Sequence, residues 1–557
     1  NPYWIAYRNL RLNQKKRYML SAQLSYDITD WLNISGRVRV DNTHTKYEQK
    51  LYASSNLTIT EESTQGHYTI SKPDETQTYA DVLANINKRF NDFSLVANVG
   101  ASIVNNRYED LSYRGPIREK GIPNVFNVFD LDNTKKKARQ DEWQEQTQSV
   151  FASVEVGWKS MLYLTLTGRN DWASQLANSS TPCFFYPSVG LSGVISEMLT
   201  LPEFIDYMKV RGSFSSVGMP YPRNLTSPTY EYDEANQQWK PKTHYPIKDL
   251  KPERTNSWEL GLDMRLFKDF SLGFSWYLAN TFNQTFDPKV SVSSGYSKIY
   301  LQTGYVRNSG VELSLGYGHT WNNHLHWESN FTLSHNKNTI KDLVTSYIHP
   351  ETGLPITQNR LDVGGLGKAR FILKKGGTLG DLYTQSDLKR DNSGMVEIDP
   401  SGALTTEDNL PDIKLGSVFP KANLAWNNRF EWRGISLSAL FTARIGGIAY
   451  SATQAAMDQY GVSERSAQAR DNGGVLLNGR TLVDAQTYYS LIGNSSGLPQ
   501  YYTYSATNVR LQEASVGYTI PRKWLGGVCD INVSVVGRNL WMIYCRAPFD
   551  PEAVANT

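Results

Sequence analysis

The chain has 557 residues and a formal net charge of +3, with 57 basic and 54 acidic side chains spread along its length, so no nucleic-acid partner is indicated. Mean hydropathy is −0.47 and no run approaches the roughly 18 to 20 apolar residues of a membrane helix, which excludes a helical membrane protein. A membrane barrel stays open, because its apolar positions alternate with polar ones and vanish from averaged hydropathy.

At the start, Asn1-Pro2-Tyr3-Trp4 has neither the basic opening nor the apolar stretch of a signal peptide, so either the protein is cytoplasmic or its natural beginning lies upstream. Residues 16 to 41, KRYMLSAQLSYDITDWLNISGRVRVD, are apolar at every second position on both sides of a turn at Thr29-Asp30. Tyr18, Leu20, Ala22, Leu24, Tyr26 and Ile28 share one face with Leu32, Ile34, Val38 and Val40, while Arg37, Arg39 and Asp41 fall on the other. That is a β-hairpin. Alternation recurs at 93–101, 150–156, 162–166, 258–266, 272–278, 311–317 and 531–535, and less strongly at 78–90, 184–194, 207–217, 325–340, 420–431, 435–449 and 504–519. The total is about sixteen strands, with 12% aromatic residues and 33 tyrosines to supply them.

The connections alternate in length. Short turns fall at Thr29-Asp30, Asn91-Asp92, Lys159-Ser160, Lys268-Asp269, Asn322-Asn323 and Arg433-Gly434, and long connections at 50–77, 115–140, 218–253, 341–419 and 450–503. Loops beyond about 15 residues are uncommon in compact domains, and strict alternation is what an antiparallel transmembrane barrel shows, with short periplasmic turns and long extracellular loops. The expected fold is therefore all-β, an antiparallel transmembrane β-barrel. Its polar face, with Arg37, Arg39 and Asp41, lines a wide lumen, and Leu20, Leu24, Leu32 and Val38 face lipid. Trp31, Trp158, Trp321, Trp327 and Trp432 flank short turns as an interfacial girdle would. Parity puts both ends of the chain outside, whereas a complete single-chain barrel starts and finishes on the periplasmic side. The expectation is a partial barrel domain over 1–557, lacking at least one strand at each end.

Chemical motifs are sparse. GGLGKAR at 364–370 lacks the spacing and the Ser or Thr of a phosphate loop. His324 and His326 share a strand face, with His319 across the turn, but no carboxylate or cysteine completes a metal set. DNSGMVEID at 391–399 lacks the ordered acidic spacing of a calcium loop and reads as a solvated acidic loop. Cys183, Cys529 and Cys545 are too few and scattered for a disulfide framework. Arg169, Asp171, Glu259, Asp263, Arg265 and Glu312 lie on the polar face, where cross-strand pairing is expected. No Ser, His and acid set assembles, so no catalytic, cofactor or metal residue is assigned. Substrate contact is assigned to aromatics of the long connections: Phe184, Phe185, Tyr186, Trp239, Tyr488, Tyr489, Tyr501 and Tyr502.

Several stretches resemble the SusC/RagA family of TonB-dependent outer-membrane transporters of Bacteroidetes. They are NPYWIAYRN (1–9), LTLTGRNDWAS (164–174), FYPSVGLSGVISE (185–197), KVRGSFSSVG (209–218), LKPERTNSWELGLDMRLF (250–267), VRNSGVELSLGY (306–317), NVRLQEASVGYTIPRKWL (508–525) and GRNLWMIYCRAPFDPE (537–552). The resemblance implies a 22-stranded barrel in the outer membrane of a Gram-negative, Bacteroidetes-like bacterium, closed by an N-terminal plug. It implies import of oligosaccharides or oligopeptides with a SusD-like surface lipoprotein as lid, driven by the TonB-ExbB-ExbD complex. The plug, the TonB-interacting motif, the first strands and the last strand are not among these residues, and RDNSGMVEID departs from the family's more regular Asp-Asn-Gly-rich loop. Two other readings compete: a secreted β-rich glycan-binding or adhesion protein, which predicts a soluble product, and an outer-membrane barrel enzyme, which needs a catalytic cluster at the membrane rim.

Overall fold

The computed structural model describes residues 2–225, 230–233, 238–241, 244–245, 251–286, 298–299, 301–321, 325–348 and 355–552. Among them seventeen strands belong to the main sheet. In chain order these are β1 (Asn9–Thr29), β2 (Leu32–Tyr52), β3 (Gly66–Ser71), β4 (Asp74–Phe90), β5 (Phe93–Pro116), β6 (Lys137–Trp158), β7 (Leu162–Ala173), β8 (Cys183–Val194) and β9 (Ile205–Met219). They continue as β10 (Glu253–Leu266), β11 (Phe270–Phe286), β12 (Leu301–Trp321), β13 (Leu325–Asp342), β14 (Ala422–Trp432), β15 (Ile435–Ile445), β16 (Asn508–Ile520) and β17 (Ile531–Cys545). The strand that the alternation misses is β3, a short strand inside the first long connection.

The chain forms two compact units: Asn1–Val189, Ser216–Pro252 and Ser291–Tyr300 in one, and Gly190–Ser215, Glu253–Val290 and Leu301–Thr557 in the other. In the first, β1 pairs with β2, β2 with β4, β4 with β5, β5 with β6 and β6 with β7, all antiparallel. β3 fills the gap above the start of β4, pairing with β2 at Tyr47↔Ser71 and with β5 at His67↔Pro116. In the second, β10 through β17 make an antiparallel meander, each strand paired with the next.

Turn chemistry sets the register. Arg433 and Gly434, the two residues between paired Trp432 and Ile435, have positive φ, the backbone that matches the twist of a two-residue hairpin; Lys159 and Ser160 also have positive φ, in a three-residue turn between paired Trp158 and Leu162. The first turn is displaced by one residue from its expected place: β1 runs to Thr29 and Asp30-Trp31 makes the reversal. Asn322-Asn323 lies outside the described residues. The strands themselves are longer than the alternation suggests, β1 beginning at Asn9 and β2 continuing to Tyr52, because the outer halves trade apolar for polar residues while keeping the same ladder. The connections at 195–204 and 521–530, at the short-turn end, are longer than hairpin turns and carry helical turns at Ile195–Met198 and Arg522–Leu525.

Candidate functional site: a two-faced wall and its folded outer connections

In the first unit the two faces of the sheet differ in character. One carries aligned apolar rows: Phe90↔Phe93↔Trp158↔Leu162 beside the turns, then Ile86↔Ala97↔Val154↔Leu166, then Val82↔Ala101↔Val150. Most of the large residues in these rows are exposed, which in water would be an aggregation surface. Beyond Val150 the same face of β6 turns to Gln148, Gln146 and Gln144. From Trp158 to Val150 is about nine residues, which at 3.3 Å per residue and a tilt near 40° makes a band about 20 Å tall, close to the apolar belt of a transmembrane barrel.

The opposite face is polar and internally paired. Arg37, Arg39 and Asp41 all lie on it, as expected. Arg37 donates to Asp81 at 2.9 and 2.7 Å, Arg17 grips Asp41 at 2.8 and 2.5 Å, and Arg39 donates to Gln77 at 3.1 Å. One polar row runs Arg37↔Asp81↔Ser102↔Ser149↔Asp171 from β2 to β7. At its far end Asp171 accepts from Arg169 at 2.7 Å and from the Tyr186 hydroxyl at 2.5 Å. In the second unit Arg211 on β9 pairs with Glu259 and donates to Ser275 at 2.7 Å, with Asp263 at 3.7 Å. The cross-strand pairing expected of Glu259 and Asp263 thus has Arg211 as its partner, while Arg169 and Asp171 pair along one strand.

Aromatics gather beside the short turns. In the second unit Phe204, Phe267, Phe270, Tyr317, Trp327 and Phe430 form a chain of ring contacts 4.7 to 6.5 Å between centroids. Trp321 stacks on Trp327 at 6.3 Å. Trp31, Trp158 and Trp432 are exposed, as half-wet interfacial rings are.

The long connections of the second unit are folded. Leu388, Val396 and Leu404 from 343–421 share one core with Ala455, Val483, Tyr488, Ile492, Leu498 and Tyr502 from 446–507. The alternation reads 450–503 as plain connection, but helices occupy Ala452–Gln459, Glu464–Asp471 and Ala485–Gly493, capped by Ser451, Ser463 and Asp484. A Ser or Asp accepting from the N–H three residues on is a readable helix start, which a period-two pattern does not register. Under this core Asp458, 1% exposed, accepts from the Tyr502 hydroxyl at 2.9 Å and from Ser463, and pairs with Arg465. Asp412 accepts from Arg360 at 2.7 and 2.9 Å and lies 2.9 Å from Lys374, and these cations hold its carboxyl down at about 2.

This packing sorts the aromatic candidates. Tyr502 is fully buried and Tyr488 nearly so: these two of the aromatics assigned to substrate contact fill the core of the outer connections, and burial pushes the Tyr488 hydroxyl up to about 12. Tyr489 and Tyr501 are half-buried against the same core, with Tyr488 edge-on to both at 5.2 and 6.5 Å. In the first unit Phe184 stacks on Tyr186 at 5.7 Å, Phe185 is 54% exposed, and Trp239 is 69% exposed beside Tyr232.

The remaining motifs lie at turns and in the outer connections. His319 lies 2.8 Å from Asp269 and His326 2.9 Å from Thr320, while His324 is outside the described residues. Among the described residues no three His, Cys, Asp or Glu side chains could share an ion. Asp391 turns its carboxylate onto the Ser393 and Met395 N–H groups at 2.9 and 3.0 Å, and Asp399 repeats the pattern with Ser401 and Ala403, both at 2.8 Å. The Ser393 and Ser401 hydroxyls donate to the same carboxylates at 2.6 Å each, and these bonds first, with the N–H groups, lower both carboxyls. The three cysteines are free.

A wall with an apolar belt on one side, paired charges on the other and connections of alternating length defines an outer-membrane β-barrel. The chain belongs to the TonB-dependent receptor-like β-barrel family, whose model matches residues 1–540; the family is one of outer-membrane receptors and transporters. It is 21% identical over 588 residues to TonB-dependent receptor P3 of Formosa agariphila, covering 99% of this chain and 56% of that protein. TonB-dependent receptor P39 of the same organism is 23% identical over 339 residues, covering 58% of this chain and 30% of P39. The chain thus spans little more than half the length of P3. Among solved structures it is similar to the RagAB peptide transporter, with a TM-score of 0.77 and 17% identity over 99% of this chain and 61% of that one. The RagAB peptide importer in its "open-open" state gives a TM-score of 0.71 at 18% identity, over 100% of this chain and 60% of that one.

Proposed function

We propose that this chain forms the barrel wall of an active importer that takes oligosaccharides or oligopeptides through the outer membrane, works with a SusD-like surface lipoprotein and draws its energy from the TonB-ExbB-ExbD complex. The observation that carries this reading is the wet face of the wall. Its charges pair with one another, as in Arg17–Asp41 and Arg37–Asp81, and a file of paired ions facing away from lipid is tolerable only beside water. Folded outer connections with their own core support a receptor that meets large cargo outside the cell. The likeness to the RagAB peptide importer, known in "open-open" and "closed-closed" states, supports a paired, gated assembly. The plug and the TonB-contacting motif would be supplied by parts of the natural polypeptide outside residues 1–557. Of the aromatic candidates, Trp239 is exposed and is assigned as a first contact for cargo, whereas Phe185 shares the lipid-side face of β8 with Val189 and Leu191, opposite Tyr186 and Ser188, which bond Asp171 and Thr167 on the polar side.

The test is uptake of fluorescent oligosaccharide and oligopeptide mixtures by cells carrying the natural receptor, by cells lacking it and by cells lacking TonB. Uptake of one mixture that disappears in both deletions is expected. Uptake that persists without TonB would overturn the reading.

A further inference from the structure

We propose that a groove on the polar face of the first unit is a subsite for oligopeptides with free ends, in which Lys15 takes the peptide carboxylate and Glu75 its ammonium. The proposal rests on the importer reading and deepens it by naming the cargo class. The groove encloses about 500 Å³ and is bordered by residues of β1, β2, β4, β5 and β6, a size suited to a small ligand.

Two adjacent cross-strand rows build it. The lower is Asp41↔Gln77↔Asn106↔Glu145 and the upper Thr43↔Glu75↔Tyr108↔Trp143. Nearly every group in them already has a partner. Arg17 is bidentate on Asp41, Gln77 donates to Asn106 at 3.0 Å, and Arg223 donates to Glu145 at 2.7 Å.

The aromatic wall is also taken. The Arg223 guanidinium sits 4.0 Å over the Trp143 ring, and Tyr108 stacks on that ring at 5.5 Å with 12° between planes. Deeper on the same face Arg37 and Arg39 lie 5.2 and 5.5 Å over Tyr79. A neutral glycan is recognised by laying a sugar on an open ring face, and these rings are already covered by cations and by each other. What the groove offers instead is charge: among the described residues Lys15 and Glu75 make no salt bridge and no side-chain hydrogen bond, although both border the cavity.

Their spacing selects the ligand. Lys15 stands opposite Thr45 on β2, and Glu75 opposite Thr43 of the same strand. Two strand spacings across and two residues along put the two backbones about 12 Å apart, the span of three to four extended residues. A peptide of that length with free ends brings its opposite charges within reach of the two side chains, and each end makes a charge-assisted hydrogen bond.

The experiment measures binding of tetra-alanine with free ends, of N-acetyl tetra-alanine amide and of maltotetraose to the purified natural receptor in detergent. Variants are Lys15→Gln, Glu75→Gln and the exchanged pair Lys15→Glu with Glu75→Lys, with heat-modifiable gel migration as the folding control. Free tetra-alanine should bind more tightly than its blocked form. Each single variant should weaken it about five- to twentyfold, and the exchanged pair, which accepts the peptide reversed, should recover most of the loss. The blocked peptide should ignore the substitutions. No binding of free tetra-alanine, unchanged affinity in both single variants, or maltotetraose as the ligand they weaken overturns the subsite. TonB-dependent uptake in the parent receptor, measured alongside, separates this failure from failure of the importer reading itself.

Discussion

Leu24→Arg tests which side of the wall meets lipid. Leu24 is 84% exposed on β1, on the face it shares with Leu20, Ala22 and Tyr26, and its cross-strand neighbour is Gly36. It stands about five residues from the end of β1 at the turn, which at 3.3 Å per residue and a tilt near 40° is about 13 Å, half the height of a 25 Å apolar belt. Leu24 is therefore a midplane residue, where an arginine costs about 2 to 4 kcal/mol. Ser25, one position on, points to the polar face and accepts from the Asn33 amide at 2.8 Å. Ser25→Arg gives up that bond, about 0.5 to 1.5 kcal/mol, and leaves its charge in water. The assay is urea-dependent folding of the natural receptor into phosphatidylcholine vesicles, followed by tryptophan fluorescence and by heat-modifiable migration. Leu24→Arg should lose more than Ser25→Arg, about 2 to 4 against about 0.5 to 1.5 kcal/mol. Equal losses, or the reverse order, would refute the assignment of faces.

Two further predictions concern the outer connections. Asp412 titrates at about 2 because Arg360 and Lys374 stabilise its anion; since its folded value lies below the unfolded one, its contribution is complete above pH 4 and fades as pH falls towards 2. Asp412→Asn should remove about 1 to 2 kcal/mol of local stability at pH 7, discounted for the half-exposed cations, and should flatten the acid end of the stability profile, read by hydrogen exchange over 360–417; an unchanged profile would refute the pairing. Tyr502→Phe deletes the hydroxyl that donates to buried Asp458 and should cost about 1.5 to 3 kcal/mol, raising exchange and protease cleavage within 446–507 while β10 to β15 keep their protection. Loss of protection in those strands would show that the outer core is not a separate cooperative unit.

The wall was legible because lipid and water impose a period of two on every strand. Val150, Ala152, Val154 and Val156 of β6 announce it, and pairing of Arg37 with Asp81 follows from which side they share. The outer halves of the same strands were harder to read. Arg17, Asp41 and Gln77 stand beyond or at the edge of the belt, where both faces can be polar and the alternation fades. The outer core was not legible as a core, since its members come from two connections far apart in sequence, Leu388 to Leu404 and Ala455 to Tyr502, and only contact in three dimensions relates them. Its helices were within reach through their caps. For the candidate aromatics, composition alone could not separate a ring that fills a core, as Tyr502 does, from one left exposed, as Trp239 is.

The charges on the wet face are not there to hold the fold. The Arg17 and Arg37 side chains are 61% and 46% exposed in their ion pairs, and pairs so exposed contribute about 0 to 1 kcal/mol. The strands are held by their ladders and by the belt that lipid demands. A residue such as Lys15 or Glu75 can therefore change sign or disappear with little effect on folding, whereas Leu24 cannot. Selection for folding acts on one face of each strand and selection for cargo is free to act on the other. The polar wall and the outer connections are the places where members of one barrel family can differ in what they import.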